Sequence, residues 1–180
     1  MRIVFFGTPA FALPSLNALL QSEEEVISVV TQIDKRKGRD RVPSPSPVKE
    51  LAIIKGIKVL QPEKIKDSVF LNELSVLRPD MIVVVAYGKI LPAQILKLPP
   101  MGCINVHASL LPKYRGAAPV QWAIINGEKK TGITTIVMNE GLDTGDILLQ
   151  EEMEISYDDN GETLSKRLAE MGASVLINTI

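Results

Sequence analysis

A chain of 180 residues is long enough for one domain with a substantial core and short for two. Hydrophobic content of 46% with 23% charged residues excludes a disordered or collagen-like class, and a net charge of −1 leaves any nucleic-acid partner to a local basic patch rather than to the overall field. Cys103 is the only cysteine, which rules out an internal disulfide and a thiolate metal cluster and fits a reducing, cytoplasmic setting.

The first residues, Met1 to Phe6, begin like a signal peptide, but Gly7, Pro9 and Pro14 break the apolar run. No stretch approaches the roughly twenty apolar residues of a membrane span, so a cytosolic protein from its first residue is expected. Ile3 to Phe6 is a short apolar run of the kind buried on both faces of a sheet. Ala10 to Leu20 carries Leu13, Leu16, Leu19 and Leu20 at helical spacing, with Thr8 as an N-cap before Pro9. Val26 to Thr31 reads as a second strand. Strand, helix and strand in this order make a βαβ unit, hence an open, mostly parallel, twisted sheet with helices on both faces. The first βα turn has Gly7 but neither a G-x-G-x-x-G series nor a P-loop, which disfavours dinucleotide or NTP binding through those fingerprints.

From Thr31 to Val48 the pattern lapses into a long loop without structure of its own, holding Lys35, Arg36, Lys37, Arg39 and Arg41 against Asp40, then Pro43, Pro45 and Pro47. The patch reads either as a solvated loop or as a phosphate-backbone contact; aromatic residues for base stacking are missing from it. Ser46 and Pro47 look like N-cap and N1 of a helix to about Lys55. Ile57 to Leu60 is a short strand, and Val69 to Leu77 a helix that stops before Pro79. Met81 to Ala86 is the most strand-like segment and is placed centrally in the sheet. It ends at Tyr87-Gly88-Lys89-Ile90-Leu91-Pro92, and loops at the carboxyl ends of central parallel strands are where open α/β sheets bind ligands.

Gly102-Cys103-Ile104 continues into Asn105 and His107, which a period of two puts on one face. His107 is the only histidine and opens a proline- and glycine-marked loop. Pro119 to Asn126 is a short helix with the only tryptophan, Trp122, ended by Gly127. Thr131 to Met138 and Ile147 to Ile155 are strands that add an antiparallel part near the C-terminal end. From Gly161, Leu164, Leu168, Met171 and Val175 mark a helix without a stop signal, as if the chain ended before the natural protein does.

Asn105, His107 and Asp143, the last in a loop bounded by Gly141 and Gly145, suit acyl transfer. A carboxylate orients a histidine, an amide donates to an oxygen that gains charge, and a substrate supplies the attacking group. The same spacing is met equally by a hydrogen-bonded histidine that caps a strand. A Ser-His-Asp hydrolase using Ser109 lacks the G-x-S-x-G elbow, a zinc site lacks ligands, and Cys103 reads as core.

The run Asn105-Val106-His107-Ala108-Ser109-Leu110-Leu111-Pro112-Lys113-Tyr114-Arg115-Gly116-Ala117-Ala118-Pro119, with Gly141-Leu142-Asp143-Thr144-Gly145-Asp146, resembles the signature of the 10-formyltetrahydrofolate-dependent formyltransferases. The start Phe5-Phe6-Gly7-Thr8-Pro9-Ala10-Phe11, the basic loop and Pro45-Ser46-Pro47-Val48-Lys49 are most similar to the members that formylate initiator methionyl-tRNA. The resemblance implies a Rossmann-like formyltransferase fold over residues 1–180 and a catalytic trio of Asn105, His107 and Asp143. It implies 10-formyltetrahydrofolate as co-substrate, no metal, and direct attack of the methionyl amine on the formyl carbon. The folate is expected at Ala86, Tyr87, Gly88, Lys89, Ile90 and Leu91, at Ser109, Leu110, Leu111 and Pro112, and at Gly141 and Leu142. The tRNA is expected at Lys35, Arg36, Lys37, Arg39 and Arg41. A monomer is expected, and the family's C-terminal β-barrel-like tRNA-binding domain is expected to be absent from this chain. Other members pass formyl to a small amine or hydrolyse it, and a binding module with a decayed site is a further alternative.

Overall fold

The computed structural model describes residues 1–37 and 42–180. Among the described residues there are nine strands and six helices: β1 Arg2–Gly7, α1 Leu13–Gln21, β2 Glu25–Val30, β3 Lys35–Lys37, β4 Val42–Ser44, α2 Pro47–Ile54, β5 Val59–Leu60, α3 Ser68–Val76, β6 Met81–Val85, α4 Ala93–Leu96, β7 Cys103–His107, α5 Pro119–Ile125, β8 Lys130–Val137, β9 Ile147–Glu154 and α6 Gly161–Thr179. Seven strands form one sheet in the order β5-β2-β1-β6-β7-β8-β9. Pairing is parallel from β5 to β7. It is antiparallel across β7–β8 and β8–β9, so the expected mixed sheet is present, with β6 at its centre.

The central strands alternate between two cores. Ile3 and Phe5 of β1, Val83 and Val85 of β6, and Ile104 and Val106 of β7 face α1, α2 and α6, which contribute Leu16, Leu19, Val48, Ala52, Leu164, Leu168 and Val175. Val4, Phe6, Ile82, Val84 and Cys103 face α3 and α4, with Phe70, Leu74 and Ile95. A strand covered on both faces must be apolar at every position, which is why β1 and β6 read as uninterrupted runs. On β7 the face that begins with Cys103 turns polar at Asn105 and His107, beyond the reach of the α3–α4 layer. Among the described residues no helix is long and apolar enough to cross a membrane.

Several expectations needed correction. Thr8 caps no helix. Ala10–Ala12 is a 3-10 turn and α1 starts at Leu13, while the Thr8 hydroxyl accepts from the Gln32 backbone N–H at 3.2 Å and faces the Tyr87 carbonyl at 3.5 Å, linking the ends of β1, β2 and β6. The stretch 31–48 contains the antiparallel pair β3–β4, with Lys35 opposite Ser44 and Lys37 opposite Val42. Alternation was hidden there because Lys35 to Lys37 are all basic. Helix α4 was missed: four residues give no periodic signal. Ser46 caps α2 as expected, its hydroxyl accepting from the Lys49 N–H at 3.2 Å, and Asn160 forms a capping box with Thr163 at α6.

Gly132 is required for β8 to lie against β9. A Cβ there would stand 2.0 Å from the Glu151 carbonyl oxygen and 2.6 Å from Leu110 Cδ2. Backbone cannot yield as a side-chain tip can, so Gly132→Ala is expected to destabilise the fold by about 3 kcal/mol, the upper end for overpacking. A urea melt should show the midpoint falling at unchanged slope.

Candidate active site

Strand order reverses beside β1: the chain first adds β2 and β5 on one side, then returns to add β6 and β7 on the other. Carboxyl ends of strands at such a switch point form a ready crevice. The loops that leave β6 and β7 therefore carry the candidate residues to one place.

The structure brings the three polar residues together. Asn105 Nδ2 donates to Asp143 Oδ1 at 3.1 Å. Asp143 Oδ2 accepts from the Gly116 backbone N–H at 2.8 Å and lies 3.5 Å from His107 Nδ1. His107 Nε2 donates to the Tyr114 carbonyl at 2.9 Å. A carboxylate and a carbonyl only accept, so these contacts fix both the Asn105 amide orientation and the proton on His107 Nε2. The His107 and Asp143 side chains are 7% and 10% exposed, so a charge placed on the imidazole meets the carboxylate in a surrounding of low dielectric. The remaining N–H of the Asn105 amide has no protein partner among the described residues and is free for a ligand. Both His107 nitrogens are engaged, so direct donation to a substrate oxygen requires the imidazole to release Tyr114 or Asp143.

Backbone strain gathers in the same loops. Ala86, Tyr114, Ala118 and Asp143 have φ of 49°, 56°, 57° and 50°. Such left-handed non-glycine residues cost of order 1–3 kcal/mol each and persist where surrounding contacts demand them. The left-handed Asp143 is the residue whose carboxylate contacts Asn105, Gly116 and His107.

The predicted folate residues divide by exposure. Ala86, Gly88 and Ile90 are exposed after β6, as are Gly141 and Leu142. The Tyr87 ring lies edge-on to Phe6 at 5.1 Å between centroids, and burial pushes its phenol up to about 12. The Tyr87 carbonyl accepts from Gln32 Nε2 at 2.7 Å. Leu91 and Leu111 are core, and Lys89 Nζ donates to the Glu63 carbonyl at 3.2 Å. Ser109 is fully buried, with its hydroxyl on the Lys113 carbonyl at 2.6 Å. It does not meet His107, which removes the serine-hydrolase alternative. Leu110 turns toward Gly132, and Pro112 is exposed. The Cys103 thiol is buried and pushed up to about 12, as fits core.

Of the predicted basic contacts, Lys35 is exposed at the start of β3 and Arg36 and Lys37 follow it in that strand. Arg39 and Arg41 lie outside the described residues. Sequence reasoning missed the supports of the 109–112 turn. Buried Thr134 donates to the Ser109 carbonyl at 2.6 Å and accepts from the Leu111 N–H and from Gln150 Nε2. It also missed Asn139, whose side-chain oxygen accepts from Gly141 N and Thr144 Oγ1 at 2.9 and 2.8 Å and shapes the turn before Asp143. A polar residue two before a glycine was the only available signal.

Residues 1–180 match the formyl transferase family. A protein named methionyl-tRNA formyltransferase from Caldanaerobacter subterraneus subsp. tengcongensis is 62% identical over the whole chain, and one of the same name from Thermodesulfovibrio yellowstonii is 57% identical over 99% of it. The chain covers 59% and 58% of those two proteins. Among solved structures, a phosphoribosylglycinamide formyltransferase from Bacillus halodurans superposes with a TM-score of 0.83 at 23% identity, covering 99% of this chain and 93% of that one. A formyltetrahydrofolate deformylase from Pseudomonas syringae gives 0.77 at 23%, covering 99% and 59%. At these identities the structural likenesses speak for the fold.

Proposed function

Since the chain belongs to the formyl transferase family, we propose that it carries the catalytic site for moving a formyl group from 10-formyltetrahydrofolate to the amino group of initiator methionyl-tRNA. The observation that carries the reading is the Asp143 carboxylate joining Asn105 and His107 at the carboxyl end of β7. The names of relatives that are 57–62% identical support the acceptor.

In this reading the pterin rests against the exposed Ala86, Gly88 and Ile90 and against Gly141 and Leu142. The amine nitrogen attacks the formyl carbon, a C–N bond forms, and the carbonyl oxygen becomes an oxyanion. The free N–H of Asn105 donates to it. His107, protonated between Asp143 and the Tyr114 carbonyl, offsets its charge. Asp143 supports that imidazolium and, through water, takes the proton the amine must lose. Collapse breaks the bond from carbon to the folate nitrogen N10, which leaves with that proton, returned by Asp143 through the water, so the protein is unchanged.

Incubation with 10-formyltetrahydrofolate tests the reading by the fate of the formyl group. Formyl on methionyl-tRNA supports it; formyl on a small amine, or free formate alone, replaces it with another reaction of the family. The basic residues Lys35, Arg36, Lys37, Arg39 and Arg41 are assigned to the tRNA backbone. Neutralising Lys37, Arg39 and Arg41 together is expected to weaken methionyl-tRNA binding and flatten its log–log salt dependence by about 2, the figure for three lost single-strand phosphate contacts. Folate binding should not change, and an unaltered salt slope would reassign the loop.

A further inference from the structure

The carbonyl that holds His107 belongs to Tyr114, and Tyr114 is held from outside the site. Its hydroxyl donates to Glu128 Oε1 at 2.8 Å and accepts from Asn126 Nδ2 at 3.0 Å. The neighbouring Lys113 ammonium donates to both Glu128 oxygens at 2.9 and 3.1 Å. Hydrogen bonding by these two residues, Lys113 first and then Tyr114, holds the Glu128 carboxyl below the usual glutamate range. Glu128 is itself fixed, because its backbone N–H donates to the Ala123 carbonyl at 3.0 Å and so extends the last turn of α5 toward β8. On the inner side, the Ser109 hydroxyl holds the Lys113 carbonyl at 2.6 Å. The peptide between these anchors carries the left-handed Tyr114, φ 56°, which a free tyrosine would leave.

We propose that Glu128 is a positioning residue: by gripping the Tyr114 hydroxyl and the Lys113 ammonium it keeps the Tyr114 carbonyl on His107 Nε2 and so keeps the ring's other nitrogen turned to Asp143. A carbonyl can only accept, so the contact selects the Nε2–H form of the neutral ring and orients the charged one. The exposed Lys113–Glu128 pair adds little stability by itself. Its consequence lies in the orientation of an imidazole that it does not touch. The catalytic part of this inference rests on the proposed formyl transfer; the structural part does not.

His107 is the only histidine in the chain, so its imidazole nitrogen-15 signals need no assignment. In the unaltered protein the neutral ring is expected to carry its proton on Nε2, in slow exchange with water. Glu128→Ala and Tyr114→Phe should each mix the two neutral forms and speed Nε2–H exchange by about fivefold, the effect of losing a hydrogen bond worth roughly 1 kcal/mol. Glu128→Gln keeps an acceptor for the Tyr114 hydroxyl and should restore most of the native signal. Formyl-transfer turnover should fall with the signal while folate affinity holds. A folded Glu128→Ala protein with native imidazole signals overturns the proposal, as does an Nδ1–H ring in the unaltered protein. If Glu128→Ala does not fold, Tyr114→Phe decides by the same two signals. A protein that never transfers formyl refutes the proposed function while these signals still decide the brace.

Discussion

Asn105→Ala should lower turnover by about 10²-fold or more, with the dissociation constant for folate within about a factor of two of the native value. The amide has two N–H bonds and the structure accounts for one, 3.1 Å from Asp143 Oδ1. In the proposed role the second donates as charge develops, which is what distinguishes an oxyanion donor from a ground-state contact. Alanine removes both. The loss at Asp143 is partly covered, because its other oxygen keeps the Gly116 N–H at 2.8 Å. The loss at the oxyanion is not covered by any described side chain already aimed there. His107 would have to leave the Tyr114 carbonyl or Asp143 to replace it. Single-turnover formyl transfer measured beside equilibrium folate binding separates the two effects. Turnover within threefold of native would remove Asn105 from this role. Asn105→Asp is expected to be worse than alanine, since two adjacent carboxylates cannot both ionise freely.

How much of this was legible in the sequence depended on how local each cause was. Buried on both faces, β1 and β6 spell their position directly in Ile3 to Phe6 and Met81 to Val85. The alternation that puts Asn105 and His107 on one face survives because β7 outruns the helices that cover its first residue. Ser46-Pro47 and Gly127 announced helix ends by chemistry confined to a few residues. The misses are tertiary in origin. Thr8 has the residue type and place of an N-cap, yet its hydroxyl is claimed by strand ends that are distant in the chain. Thr134 looked like one more β-branched strand residue, and nothing in its neighbours says that it holds the turn at Ser109. Glu128 drew no reading between the helix end at Gly127 and the strand from Thr131. Likewise, both nitrogens of His107 being occupied follows from the left-handed Tyr114 backbone, which no residue type at that position foretells.

The other large effect is expected at Asp143, where charge and conformation can be separated. Asparagine is among the few residues that accept a left-handed backbone, so Asp143→Asn should keep the loop at φ 50° and the melting temperature within a few degrees. Turnover should nevertheless fall by about 10³ to 10⁴-fold, as when a carboxylate beside a working histidine is made neutral. Two causes combine. The imidazolium loses the anion 3.5 Å from its Nδ1. The new side-chain amide must also turn its oxygen to the Gly116 N–H, which leaves its nitrogen facing Asn105. Two donors then oppose each other, and Asn105 must rotate to offer its own oxygen, which takes the second N–H away from the substrate. Asp143→Ala removes the charge without forcing that rotation, but it places a residue with no local hydrogen bond in the left-handed region, so its cost should fall on stability as well. The ordering is the test: Asp143→Asn the more stable of the two and no more active. If Asp143→Asn retained turnover within tenfold, neither the charge nor the Asn105 orientation it sets would matter to formyl transfer.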